Sequence, residues 1–159
     1  MKKLLALLLM AVMSFTLLTG CSDPVYDDLS NFLNVQMVEV NADYEKLKTE
    51  IANVDAAPDD AALKVAIDTK VLPLIKGSLE KLSAITVETE EVKAVKDKYV
   101  KVMETYKEGF EALSKGCETQ AEETITAGTN AINKAIELLD EYNKALEELA
   151  KEHGGEIEY

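Results

Sequence analysis

Two thiols, one imidazole and many carboxylates are the groups this 159-residue chain offers to chemistry. The thiols belong to Cys21 and Cys117, the imidazole to His153. A zinc site takes about four Cys, His, Asp or Glu ligands, and a di-iron helical site takes Glu-x-x-His pairs on facing helices. A single histidine supplies neither. His153 falls in the last turn of a helical pattern, where its cationic form complements the helix dipole. Acidic pairs recur at Asp59-Asp60, Glu90-Glu91, Glu122-Glu123 and Glu147-Glu148. Neighbours along a helix point about 100° apart, so these pairs do not converge. Most have a lysine nearby and read as solvated faces. Splitting two carboxyl pKa values for acid and base work needs burial, and no apolar stripe carries a carboxylate. Calcium loops, phosphate-binding loops and Gly-x-Ser-x-Gly are absent from the sequence. The expectation is a protein that is not an enzyme, with no metal and no cofactor. Cys117 is left as a lone thiol. It is either an inert loop residue or a site of partner or redox chemistry through an intermolecular disulfide.

Cys21 has a different setting. Met1-Lys2-Lys3 is a cationic start, Leu4 to Leu18 is an apolar run broken only by Ser14 and Thr16, and Thr19-Gly20 brings small residues up to the cysteine. That order is the pattern of a secretory signal peptide. The run is shorter than the ~20 apolar residues that span a bilayer. Leu18-Thr19-Gly20-Cys21 resembles the lipobox of bacterial lipoproteins: a leucine, a small residue, glycine or alanine, then cysteine. The resemblance covers the first 21 residues. It implies a diacylglycerol on the Cys21 sulfur and a cut between Gly20 and Cys21. Each buried CH₂ adds ~0.8 kcal/mol and a single chain holds only marginally, so two or three chains on one cysteine make a durable anchor. Residues 1–20 are thus the expected signal peptide, drawn as an apolar helix over 4–18 that touches little of the domain. Residues 21–23 are the lipidated tether, ~10 Å long at full stretch.

Composition narrows the partners. All 17 basic residues are lysine, against 30 acidic residues. Residues 1–20 carry Lys2 and Lys3 and no acid, so the net charge goes from −13 to −15 on cleavage. Nucleic acid needs a basic footprint, and charge-driven adhesion to anionic lipid needs the same. Neither is expected, so the membrane is held through lipid on Cys21. The acidity reads as a well-solvated surface. Ala, Leu, Glu and Lys dominate, and this is helix composition.

The elements follow from apolar spacing. Asp23-Pro24 is an N-cap with proline in the first turn. Leu29, Leu33, Met37, Val40, Tyr44, Leu47, Ile51 and Val54 then predict a first helix from Pro24 to Val54 with a heptad-like, coiled-coil seam. Asp55–Asp60, with Pro58, breaks it. A second helix carries Leu63, Ile67, Val71, Leu74, Leu82 and Ile85, with a kink of more than ~20° predicted near Thr69–Pro73. A third, capped at Thr86 or Thr89, carries Val92, Val95, Tyr99, Val102, Tyr106, Phe110 and Leu113 and stops at a C′ glycine, Gly116. A fourth starts near Cys117, with Thr119 and Glu122 as a capping box. It carries Ile125, Gly128, Ile132, Ala135, Leu139, Tyr142, Leu146 and Leu149.

The predicted fold is all-α: an antiparallel up-down four-helix bundle over residues 24–153 after a cleaved signal helix, with a loose tail at 154–159. Up-down topology puts Cys117 and the Asp55–Asp60 loop at the tip far from the membrane, and His153 near it. The expected function is a non-enzymatic interaction or scaffold module for a protein partner on the extracytoplasmic face of a bacterial membrane. The alternative is a small-ligand or ion binder using a cavity at the Pro73 kink.

Overall fold

The computed structural model describes residues 14–17 and 23–158, with side-chain surroundings for 23–157. The lipobox, the cut before Cys21 and the lipidation of Cys21 lie outside the described residues. Among the described residues the domain is all-helical apart from its short connections and a pair of short strands.

Asp23 opens the first helix, α1 (Pro24–Asn31), accepting hydrogen bonds from Val25 N–H at 2.9 Å and Tyr26 N–H at 3.3 Å. The predicted helix then continues to Asp55 with one irregularity. Phe32–Gln36 is a π-helical segment, and α2 (Val38–Asp55) follows it. The segment closes with Met37 N–H on the Phe32 carbonyl, five residues back, at 2.9 Å. Leu29, Leu33 and Met37 are all buried and step by four twice in succession, a spacing that drifts by about 40° per step on an α-helix of 3.6 residues per turn. One wider turn absorbs the extra residue.

The second stretch repeats the device. It comprises α3 (Asp60–Ala66), a π segment at Ile67–Val71 and α4 (Leu72–Ala84). Buried Leu63, Ile67, Val71 and Ile75 step by four three times. The kink predicted near Thr69–Pro73 falls where the helix carries a π segment, Ile67–Val71, which ends one residue before Leu72-Pro73. The stripe leaves it through Ile75, not Leu74 as predicted, because the extra residue shifts the face by one. Asp59 caps α3 through Ala62 N–H at 2.8 Å.

The third helix, α5 (Glu90–Thr119), is capped by Thr89. The fourth, α6 (Glu122–Glu152), carries the predicted apolar stripe. Two boundaries differ from expectation. Gly116 does not end α5; Gln120 does, in the left-handed region at φ 54. Thr119 does not cap α6. It is the last residue of α5, and its hydroxyl donates to the Lys115 carbonyl at 2.9 Å. Gly116 serves packing instead. A Cβ there would stand 2.7 Å from the Ile125 nitrogen. On Gly128 it would stand 2.6 Å from the Leu113 nitrogen, and on Gly109 2.9 Å from the Ile132 nitrogen. Backbone meets backbone along this seam.

Ser14–Leu17 (β1) pairs antiparallel with Gly155–Glu158 (β2) in the register Ser14↔Glu158 to Leu17↔Gly155. This corrects two expectations at the described residues: 14–17 is strand where a helix over 4–18 was expected, and 155–158 is paired where a loose tail at 154–159 was expected, while the rest of 4–18 lies outside the described residues. Phe15 and Thr16 are strand formers, and pairing satisfies backbone groups that both segments would otherwise leave to water.

The core holds one unusual group. Tyr44, Tyr99 and Tyr106 are each at most 1% exposed, and their hydroxyls find no hydrogen-bond partner among the described residues. The Tyr99 and Tyr142 rings lie 5.0 Å apart. Burial pushes the three phenols well above their ordinary range. A phenol that stays protonated when folded but ionises near pH 10 when unfolded makes stability fall as pH rises past about 10.

Two predictions follow from packing and burial. Gly128→Ala should lower stability to urea by ~1–3 kcal/mol through overpacking, while Gly77→Ala, whose Cβ meets nothing within 4 Å, should raise it by ~0.5–1 kcal/mol. Tyr99→Phe should leave stability at pH 7 unchanged or raise it by about 1 kcal/mol, and should flatten the loss above pH 10. A Tyr99→Phe penalty well above that would mean the hydroxyl is bonded.

Candidate interaction surface at the tip

The two ends of the domain are stitched differently. At one end, His153 Nδ1 lies 2.7 Å from Asp23 Oδ2. The end of α6 therefore meets the residue that caps α1, two positions after Cys21. The hydrogen bond from His153 is the largest influence holding the Asp23 carboxyl below its usual range. His153 thus finds an acidic side chain as well as a helix end. Nearby, buried Asp28 accepts from Glu88 N–H at 2.9 Å, Thr89 N–H at 2.8 Å and the Thr89 hydroxyl at 2.8 Å. Gln36 donates to the Thr86 carbonyl at 2.9 Å. The first helical stretch thereby fixes the connection that starts α5.

The other end carries the α2–α3 and α5–α6 connections. Gln120 joins them. Its amide nitrogen lies 3.2 Å from Asp60 Oδ2 and 2.8 Å from the Cys117 carbonyl oxygen. Cys117 and the Asp55–Asp60 loop do share one end. The thiol, however, is buried at 5% exposure, where an exposed one was expected. Burial raises its pKa first, and the charge of Asp60 adds to that. The cause is α5 running one turn further than predicted, which puts Cys117 on the packed face.

Beside this end, a groove of about 350 Å³ runs between the second helical stretch and α5. Lys64, Asp68 and Leu72 form one wall; Glu111, Ser114, Lys115, Glu118 and Thr119 form the other. Asp68 sits in the second π segment. One of its oxygens accepts from the Ser114 hydroxyl at 2.6 Å and the other from the Lys64 ammonium at 2.6 Å. Lys64 and then Ser114 hold the Asp68 carboxyl below its usual range. A carboxylate so stabilised is a weak base, so Ser114 has no activating partner in it. Glu111 receives Lys107 at 3.2 Å and Lys76 at 3.7 Å. The groove therefore offers ionic groups of both signs, with Leu72 as an apolar part of one wall. Asp68 and Ser114 stand 46 residues apart, and no motif in the sequence linked them.

Elsewhere, a small apolar cleft of about 10 Å³ is lined by Ile51, Val54, Asp55, Tyr106, Phe110, Ile132 and Ile136. None of these belongs to the helical stretch that carries Pro73. Among the described residues, no three or more His, Cys, Asp or Glu side chains converge as a metal site. Among the described residues, no helix is long and apolar enough to cross a membrane.

A family model described as "Uncharacterised lipoprotein PM1805" matches residues 26–154. The chain belongs to that family. The matched span runs from α1 to the end of the helical domain, so family membership now stands beside the lipobox as a second, separate sign of a bacterial lipoprotein. The protein is held at a membrane through lipid. No curated protein and no solved structure matches the chain.

One outcome tests the tip directly. Cys117 should resist maleimide in the folded protein and react once the domain is unfolded in urea, as read by mass spectrometry. Fast labelling of the native protein would contradict the packing of the last turn of α5.

Proposed function

We propose that this lipoprotein is a non-enzymatic interaction module on the extracytoplasmic face of a bacterial membrane. In this reading the chain is cut between Gly20 and Cys21, Cys21 carries the lipid, and the helices stand as an antiparallel up-down four-helix bundle. The end that bears the groove then faces away from the membrane and receives a protein partner; nucleic acid is disfavoured by a charge of −13 in the full chain.

The observation that supports this most is the placement of the groove. The contact between Asp23 and His153 ties the end of α6 to the anchor. The start of α6 is 31 residues away, ~46 Å at 1.5 Å per residue. Mixed charge on an exposed rim suits a polar partner surface, and the Ser114–Asp68–Lys64 arrangement favours recognition over nucleophilic attack.

A second reading draws on the same place. A groove of about 350 Å³ falls in the size range of small-ligand sites, and Leu72 in its wall adjoins Pro73. A small molecule carrying both charges would suit it.

Two measurements test the proposal. Cys21→Ala should release the protein into soluble fractions or stall it as an uncleaved precursor. A photo-crosslinking residue in place of Glu118 should capture a discrete protein in intact cells, while one in place of Glu141, on the exposed face of α6, should not. Equal capture at both sites would remove the groove from the proposal.

A further inference from the structure

The C-terminal strand is held by the helical domain on one side and by the leader on the other. Gly154, at φ 78, turns the chain out of α6, and its N–H donates to the Lys151 carbonyl at 3.3 Å. Gly155 is buried and Ile157 packs against the core. His153, two residues before the strand, is tied to Asp23. The strand neighbour of Gly155–Glu158 among the described residues is Ser14–Leu17.

We propose that in the matured lipoprotein Gly155–Glu158 is an acceptor edge for an extended segment of a partner protein at the membrane surface, with an apolar residue between two basic ones. This rests on the reading that the chain is cut between Gly20 and Cys21. The cut removes Ser14–Leu17 and leaves one row of backbone N–H and C=O groups on β2 without a strand. An edge of that kind is a template for strand addition, with main-chain bonds giving affinity and alternate side chains giving specificity.

The register specifies the occupant. Phe15 stands opposite Ile157, while Thr16 and Ser14 stand opposite Glu156 and Glu158. An apolar residue therefore belongs at the centre and hydrogen-bond donors at its flanks. Lysine or arginine satisfies the flanks better than a hydroxyl, since opposite charges across strands attract and the matured chain is strongly acidic. A second copy of this chain fits poorly. Antiparallel pairing centred on Ile157 sets Glu156 opposite Glu158 twice, and facing like charges are destabilising. The contact between Asp23 and His153 puts the edge beside the anchor, so the partner segment must lie close to the bilayer.

The test uses the mature lipoprotein in detergent, with mass spectrometry to establish that its first residue is Cys21. Hydrogen exchange is then followed in the peptide covering residues 155–159. Exchange there should be at least about tenfold faster than in the uncleaved precursor. An excess of a synthetic peptide containing Lys-Phe-Lys-Leu should restore protection. The same peptide with glutamate in place of both lysines should not, and Ile157→Pro, which removes a strand donor, should abolish the effect while the helical circular dichroism is unchanged. A tail already protected in the mature protein would overturn the proposal, as would a lysine peptide that gives no protection. Equal protection by the glutamate peptide would overturn the basic character of the partner. A first residue other than Cys21 would instead overturn the cleavage reading beneath it.

Discussion

The close approach of α5 and α6 is the constraint on which the rest of this domain depends. Gly109, Gly116 and Gly128 let the two backbones come within a distance that no side chain tolerates. That contact sets where the last turn of α5 lies, and so where Cys117, Ser114 and Gln120 sit. Ser114 then meets Asp68, and Gln120 meets Asp60. The tip is assembled from the seam outward. Adding a methyl group to the seam would separate the two long helices and loosen every contact between the α5 end and the α2–α3 connection.

Periodicity made the helices legible. The stripes of α5 and α6 are buried as their spacing requires, the cap at Asp23 is where its residue type places it, and of the two threonines offered for α5 it is Thr89 that caps. What the spacing also contained, and a seam-by-seam reading passed over, was the run of fours at Leu29-Leu33-Met37 and Leu63-Ile67-Val71-Ile75. Such runs drift by about 40° per step on an α-helix; in these two stretches a π segment takes up the drift, while Val102-Tyr106-Phe110 in α5 carries it in regular helix. Gly116 misled for a different reason. A glycine after a lysine has the look of a helix end, but local propensity gave way to a tertiary contact with Ile125. The shared location of Cys117 and the acidic loop was readable from chain direction alone. The groove was not, because it joins side chains from two distant stretches and hinges on the irregular turn at Asp68. The strand pairing at the tail was equally hidden, since both partners are four residues long and lie at opposite ends of the sequence.

Charge is managed by pairing rather than by excluding it from the domain. Asp43 is 8% exposed yet faces Lys81 of α4 and Lys46 of α2. Burial pushes its carboxyl up, and the two ammonium groups outweigh that and hold it below the usual range. Asp28 is held by backbone and hydroxyl donors instead of lysine. Both buried carboxylates join separate helical stretches, so each is a crosslink made of polar contacts.

If Cys21 carries the lipid as proposed, the shortness of its link to α1 has a mechanical consequence. Asp23 already caps the first helix, so only Ser22 would separate the lipidated residue from α1. A helical domain with an axis of ~46 Å on so short a pivot would behave as a lever. Small rocking at the bilayer would become wide lateral travel at the groove, while the strand that follows His153 would scarcely move. The two ends would then sample their surroundings differently: the near one a thin shell at the headgroups, the far one a dome above them.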